Sequence, residues 1–161
     1  MAAARGREAS LRRAIREALR AGTPPARLDE ALLQLVPFAG YARAINAFSV
    51  LRELSPHRPR PARVRGGLRR RGEALCRRIY GPVYGRLMAK MRSFHPDLAA
   101  WIVEDGYGKV LSRPILTVVE RELLVVAVLA ALKLPLQLDS HVRGALRVGA
   151  SKADVDAMRR L

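Results

Sequence analysis

Along the chain, apolar and polar positions alternate with helical periods, and no pair of strands is evident. Glu8 to Ala21 has helix-forming composition and stops at Gly22, a natural C-cap, after which Thr23 and Pro24 supply an N-cap and a first-turn proline. The second helix is predicted to about Val36. Its apolar positions Leu28, Ala31, Leu32 and Leu35 follow the i, i+3, i+4, i+7 rule, with Asp29, Glu30 and Gln34 on the other side. Gly40 precedes a third helix with Tyr41, Ala44, Ile45 and Phe48 on one stripe. Helical patterns resume at about Leu68 to Tyr80 and Tyr84 to Met91, and Pro96 opens a helix containing Leu98, Trp101 and Ile102 that Gly106-Tyr107-Gly108 is expected to end. A long apolar helix, about Thr117 to Leu132, follows the Ser112-Arg113-Pro114 turn. Then come Gln137 to Val148, capped by Gly149, and a last helix begun by Ser151.

Between Ser55 and Gly67 the pattern breaks into Pro, Arg, Gly and His, which cannot hold a helix and has little to bury, so 55–67 reads as a linker between 8–54 and 68–161. With 161 residues, half of them apolar, the chain can bury one core, and 1–161 is expected to be a single domain. The longest apolar run, Leu123 to Leu132, falls far short of the roughly 20 residues that span a bilayer. The Arg- and Ala-rich N-terminus has no apolar stretch of the secretory kind, and an ordinary amphipathic first helix is expected there. Cys76 is the only cysteine, which excludes an intrachain disulfide and a cysteine-rich zinc site; a reducing, cytoplasmic location fits.

The formal charge of +16 changes the picture less than it first suggests. Clustered Arg and Lys would favour nucleic acid through counterion release. Here the basic residues are nearly all Arg, accompanied by abundant Ala, Gly and Pro, as a GC-rich coding sequence produces. The densest stretch, Arg58 to Arg78, lies mostly in the linker without interleaved aromatics, so nucleic-acid binding is the alternative and not the first reading.

His141 is the candidate acid or base. Its helix is expected to turn Leu138, Val142, Ala145 and Gly149 inward and to pair Asp139 with Arg143 outside, which puts His141 at the edge of the buried side. A histidine there can give or take a proton near neutrality, and a carboxylate such as Glu122 would fix its tautomer. Glu122 also reads as a first-turn acid favoured by the helix dipole. Arg113 suits a substrate carboxylate, which guanidinium binds bidentately, as well as it suits turn-closing bonds to backbone carbonyls. Arg121 reads equally as substrate contact or surface charge; Tyr107 and Gln137 complete the candidate substrate-binding set. Tyr107, Trp101 and Cys76 read structurally as core or pocket wall, and neither His57 nor His95 shares a metal-like spacing with His141, so no metal is expected.

Trp101 to Leu124, the apolar helix after it, and His141-x-x-x-Ala145-Leu146-x-x-Gly149 together resemble the carboxymuconolactone decarboxylase family over about Arg71 to Met158, including Arg113-Pro114 and an Arg121 set twenty residues before His141. Ala18 to Leu54, notably Leu33 to Tyr41 and Ala44 to Ala47, resembles the helices that normally follow that ending. The resemblance therefore implies an all-α bundle of the alkylhydroperoxidase D-like type with its segments in circularly permuted order. Arg16 to Gly22 also matches Arg143 to Gly149 without a gap through Ala26/Ala153 and Asp29/Asp156, as a trimmed tandem duplication would leave; Ala14 stands where His141 does. The sister branch carries Glu-x11-Cys-x2-Cys-x3-His, which reads here Glu122, Leu134, Gln137, His141, so a thiol peroxidase is not expected. The resemblance implies cofactor-free decarboxylation of a small carboxylated, lactone-type compound by a homo-oligomer. A non-catalytic structural member of the fold remains an alternative.

Overall fold

The computed structural model describes residues 1–62 and 66–160, and the described elements are all helical. They are α1 (Ala2–Arg5), α2 (Glu8–Arg20), α3 (Pro25–Leu33), α4 (Val36–Ala39), α5 (Tyr41–Leu54), α6 (Leu68–Tyr80), α7 (Tyr84–Phe94), α8 (Pro96–Trp101), α9 (Val118–Leu132), α10 (Pro135–Arg147) and α11 (Lys152–Arg160). A 3₁₀ turn, Gly81–Val83, joins α6 to α7, and α8 runs on into a π-helical segment, Ile102–Leu111.

The architecture is organised by α9. Its start is fixed by a capping box: Thr117 Oγ1 accepts from the Glu120 backbone N–H at 3.2 Å, and Glu120 Oε2 accepts from the Thr117 N–H at 2.8 Å. Its end is a left-handed Lys133 at φ 56°. Between these points it is apolar nearly all round, and a helix of that kind must be covered on every side. Val128 and Ala131 join a cluster with Leu11, Ile15, Leu32, Leu35, Ala47 and Leu51 of the N-terminal helices. Val125 and Leu129 join the cluster of α6, α7 and the π segment, and Val126 packs with Ala145 and Val155 of the last two helices.

Several sequence expectations are corrected by this packing. The second helix stops at Leu33, and Val36–Ala39 is a separate turn with Pro37 inside it. Asp29, Glu30 and Gln34, expected on the solvent side, are buried because cations from distant segments meet them there. In α5 the buried face is Ala44, Ala47, Val50 and Leu51, whereas Tyr41 and Ile45 point outward; the small alanines let α5 lie close on its neighbours. Trp101 is exposed and not core. The first helical turn, α1, lay outside the expected pattern, and its Ala3 and Ala4 are buried.

Gly106-Tyr107-Gly108 does not end the helix begun at Pro96. The glycines of this region serve a close crossing: a Cβ on Gly72 would lie 1.9 Å from the Val103 carbonyl oxygen, and one on Gly108 would lie 2.1 Å from that of Leu68. With α6 this near, the backbone continues in the wider π form, and the Gly108 carbonyl accepts from Arg71 Nη2 at 2.8 Å and Ser112 Oγ at 2.7 Å. The described residues of 55–67 form no helix or strand, while 63–65 lie outside the described residues. The stretch is tied down at its start, where His57 Nε2 lies 2.7 Å from Asp29 Oδ2 and Arg52 also pairs with Asp29.

Candidate functional site

Two neighbouring residues of α9, Arg121 and Glu122, are both buried, and each is the centre of a polar cluster. Glu122 is beyond the first turn, where Glu120 is the capping acid, and it is fully enclosed. Its Oε2 lies 2.9 Å from His141 Nδ1 of α10. Gly144, one turn after His141, makes room for the carboxylate, since a Cβ there would sit 2.8 Å from Glu122 Oε2 and 2.6 Å from Ile79 Cγ2. An ionised carboxylate only accepts, so Nδ1 carries the hydrogen and Nε2 is left as the basic nitrogen. Among the described residues, Glu122 Oε1 has no hydrogen-bond partner.

His141 Nε2 faces the Tyr80 hydroxyl at 3.4 Å, and Tyr80 Oη lies 2.5 Å from Tyr107 Oη. Burial raises the Tyr80 hydroxyl well above its ordinary value, Tyr107 partly offsets this, and the charge of Glu122 adds to the rise. Burial likewise raises Tyr107, so both rings stay neutral donors. Phe38 of α4 meets the His141 ring edge-on, with centroids 5.7 Å apart. Phe38 is itself partly exposed. His141 is thus buried at 5 % exposure, not at the edge of the core as its helix pattern suggested.

Arg121 occupies a different cluster. Its Nη2 donates to Glu30 Oε2 at 2.8 Å and to the Arg113 carbonyl at 2.9 Å, and its own carbonyl accepts from Gln34 Nε2 at 2.7 Å. Arg113 grips the same Glu30 through Nε and Nη2 at 2.8 to 3.0 Å. Burial pushes the Glu30 carboxyl up, but hydrogen bonds from Arg113 and Arg121, with their charge, outweigh it and hold the group below the ordinary carboxylate value.

Of the residues expected from sequence, Glu122 and His141 are brought into contact, and Tyr107 reaches them through Tyr80. Arg113 and Arg121 meet each other on Glu30, and Gln137 lies exposed one turn before His141. Sequence reading missed Tyr80, Phe38 and Glu30. Tyr80 has no local signal beyond its place before Gly81-Pro82, and Glu30 was hidden in a polar stripe that looked solvated. Cys76, one turn before Tyr80, is buried; burial and the charges of Glu122 and Glu73 push its thiol up to about 12.

The class of protein these elements define is an all-α bundle built round one buried helix. The chain belongs to the carboxymuconolactone decarboxylase family, whose model matches residues 1–53 and 96–161. It is similar to the Peroxisomal protein 2 of Schizosaccharomyces pombe, at 33 % identity over 146 residues, covering 84 % of this chain and 66 % of that protein. It is also similar to the Peroxisomal protein 2 of Saccharomyces cerevisiae, at 27 % identity over 172 aligned positions, covering 84 % of this chain and 59 % of that one. The chain thus spans about two thirds or less of the length of these curated relatives. Among the described residues, no helix is long and apolar enough to cross a membrane.

Proposed function

We propose that this chain catalyses cofactor-free acid/base chemistry, of the carboxy-lyase type, on a small carboxylated, lactone-type compound. The observation that carries the reading is the buried Glu122–His141 pair at 2.9 Å, in which one imidazole nitrogen is held and the other is kept for proton transfer. A carboxylate borne on the carbon next to a carbonyl, or at its vinylogous position, can lose CO2 without a cofactor, because the carbonyl takes up the electron pair and an acid then protonates the carbon. In this reading His141 is that acid and Glu122 orients it. Gln137, exposed on the same side of α10, meets the substrate, and Arg113 binds its carboxylate. Arg113 suits this better than Arg121, because 19 % of its side chain is exposed against 2 %. Arg121 and Tyr107 hold Glu30 and Tyr80 in place.

The test is a turnover screen of purified protein against unsaturated lactone acids and related carbonyl acids, beside His141→Ala and Glu122→Gln. Activity lost by roughly 10²–10⁴-fold in both variants supports the reading. Activity that survives in both, or none in the wild type, removes it. Two Cys-to-other replacements at Leu134 and Gln137 leave no thiol pair for peroxidase chemistry, and the raised Cys76 thiol offers no thiolate near neutral pH.

We also propose that the segment order is circularly permuted relative to the family and that the chain folds as one domain. The packing of Leu32 and Leu35 against Val128 and Ala131, and of Phe38 against His141, supports this. Joining residue 161 to residue 1 by a short linker and opening the chain within 55–67 should give a protein that melts cooperatively and keeps its activity. A homo-oligomer is proposed from the exposed Tyr41, Ile45, Trp101 and Leu136, and light scattering would test it. The location proposed is a reducing compartment, the cytoplasm first, with the peroxisome raised by the relatives' name; a fluorescent fusion distinguishes the two.

A further inference from the structure

We propose that Tyr80 is a catalytic residue of this site: backed by Tyr107, its hydroxyl binds the enolate-type oxyanion that forms when the substrate loses its carboxylate. The inference rests on the acid/base reading above and extends it to a residue that the sequence motif does not contain.

Three features of the geometry point there. The Tyr80 hydroxyl stands opposite His141 Nε2, the imidazole nitrogen that Glu122 leaves for chemistry, so whatever exchanges a proton with His141 meets Tyr80. The two atoms are 3.4 Å apart, longer than an O–H···N bond normally runs, so the hydroxyl is loosely engaged and open to a stronger acceptor. Tyr107 Oη, at 2.5 Å, is close enough to donate to Tyr80 and polarise its O–H outward, and burial removes the water that would otherwise weaken such a bond. Preorganised donors in a dry site, aimed where negative charge develops, are the strongest single means of stabilising such a charge. Phe38, whose ring meets His141 edge-on and is partly exposed, is the side chain that a substrate entering from that side would have to displace.

The step balances as follows. The C–C bond to the carboxylate breaks and CO2 leaves. The bond's electron pair enters the conjugated carbonyl, whose oxygen becomes the oxyanion and accepts from the Tyr80 O–H. His141 enters the step as imidazolium, its Nε2 having taken a proton from water; that proton then passes to carbon, the carbonyl reforms, and water protonates Nε2 again for the next turnover. Imidazolium stands between the oxyanion and Glu122, so the two negative groups do not face each other directly. The ligand class is therefore a carboxylic acid whose carboxylate stands β, or vinylogously β, to a carbonyl, and the stable mimic of its enolate is a phenolate.

The experiment is a spectrophotometric titration of the full chain with 4-nitrophenol, whose absorption separates the neutral from the ionised form. The wild type should bind the phenolate preferentially, Tyr80→Phe should weaken that binding at least tenfold, and Tyr107→Phe should weaken it less. Wild-type indifference to the phenolate, or equal binding by Tyr80→Phe with an unchanged circular dichroism spectrum, overturns the proposal. A second readout follows turnover: Tyr80→Phe should lower kcat by about 10²–10³-fold with KM nearly unchanged, a split that loss of packing alone does not give. Phenolate binding through Tyr80 without any turnover of carbonyl acids would keep the oxyanion site and remove the decarboxylase reading. Turnover that needs His141 but not Tyr80 would do the reverse.

Discussion

Arg121 and Glu122 are consecutive residues of one helix, equally buried, and yet they belong to two clusters of opposite character. On the Arg121 side a single carboxylate, Glu30, receives two guanidinium groups, and Gln34 meets both the side chain and the carbonyl of Arg121. On the Glu122 side one carboxylate oxygen has no partner among the described residues and the tyrosine–histidine contact is long. Buried charge is tolerated only when it is paired and hydrogen-bonded, so the Arg121–Glu30 pair of the first cluster is built for permanence, and the partly exposed Arg113 at its rim is the one member proposed above to meet a substrate. The second cluster leaves a long tyrosine–histidine contact in a dry place, and it is this contact, not the carboxylate oxygen, that the substrate proposed above would meet. Burial alone therefore does not tell the two clusters apart; how completely each is satisfied does.

The comparison breaks most visibly in stability. Glu30→Ala leaves Arg121 buried without its counter-charge, and removing one partner of a buried pair costs about 3–5 kcal/mol. For a chain of this size that lowers Tm by roughly 10 °C. Glu122→Gln keeps the shape and an acceptor for His141, so its Tm should stay within a few degrees of wild type while turnover falls by the margin given above. Calorimetry on the two variants, side by side, decides whether the clusters differ as described. A larger Tm loss in Glu122→Gln would show that the second cluster is also structural.

Gly144→Ala sharpens the contrast without altering any polar group. The added methyl would press on Glu122 Oε2 and on Ile79 Cγ2, and one extra methyl in a filled core costs about 1–3 kcal/mol. Displacing the carboxylate should also turn the His141 ring, so activity is expected to drop tenfold or more, measured against the same screen. If Tm falls while kcat/KM holds, the carboxylate is not the group that orients His141.

The sequence announced the helices through apolar period and capping residues, and it pointed to Glu122 and His141 because the two stand at the spacing of the family motif that this stretch resembles. What it concealed were contacts decided by how close two helices come. Gly106 and Gly108 looked like a helix stop, but the crossing with α6 turns Gly108 into a contact point and the helix runs on. Asp29, Glu30 and Gln34 looked solvated because a polar stripe reads the same whether it meets water or arginine. Ile45 and Trp101 looked like core and are exposed, since a side chain's size does not say which stripe a neighbouring helix will cover. Tyr80 was invisible for the plainest reason: its partners lie 27 and 61 residues away in the chain.

The smallest expected effect is a pH dependence that belongs to the Arg121 side. Glu30 is held below the ordinary carboxylate value in the folded state, where Arg113 and Arg121 stabilise its ionised form. A depressed carboxylate contributes stability that is fully present above its unfolded pKa and is lost as pH falls through the folded one. Tm should therefore be level with respect to this group from neutral pH down to the ordinary carboxylate range, and should decline below it as Glu30 takes up a proton and leaves two guanidinium groups facing each other. Glu30→Gln, which keeps the shape but cannot ionise, should start from a lower Tm and show a shallower decline over that acid range. Glu120 is also held below the ordinary value, through the Thr117 backbone and side chain and through Arg27, so some decline will persist in the variant. Melting curves of wild type and Glu30→Gln, taken in steps from neutral pH into the acid range, separate the two contributions. Parallel curves would mean that the Glu30 charge does not hold the N-terminal helices to α9, and the distinction between the two clusters would then rest on packing alone.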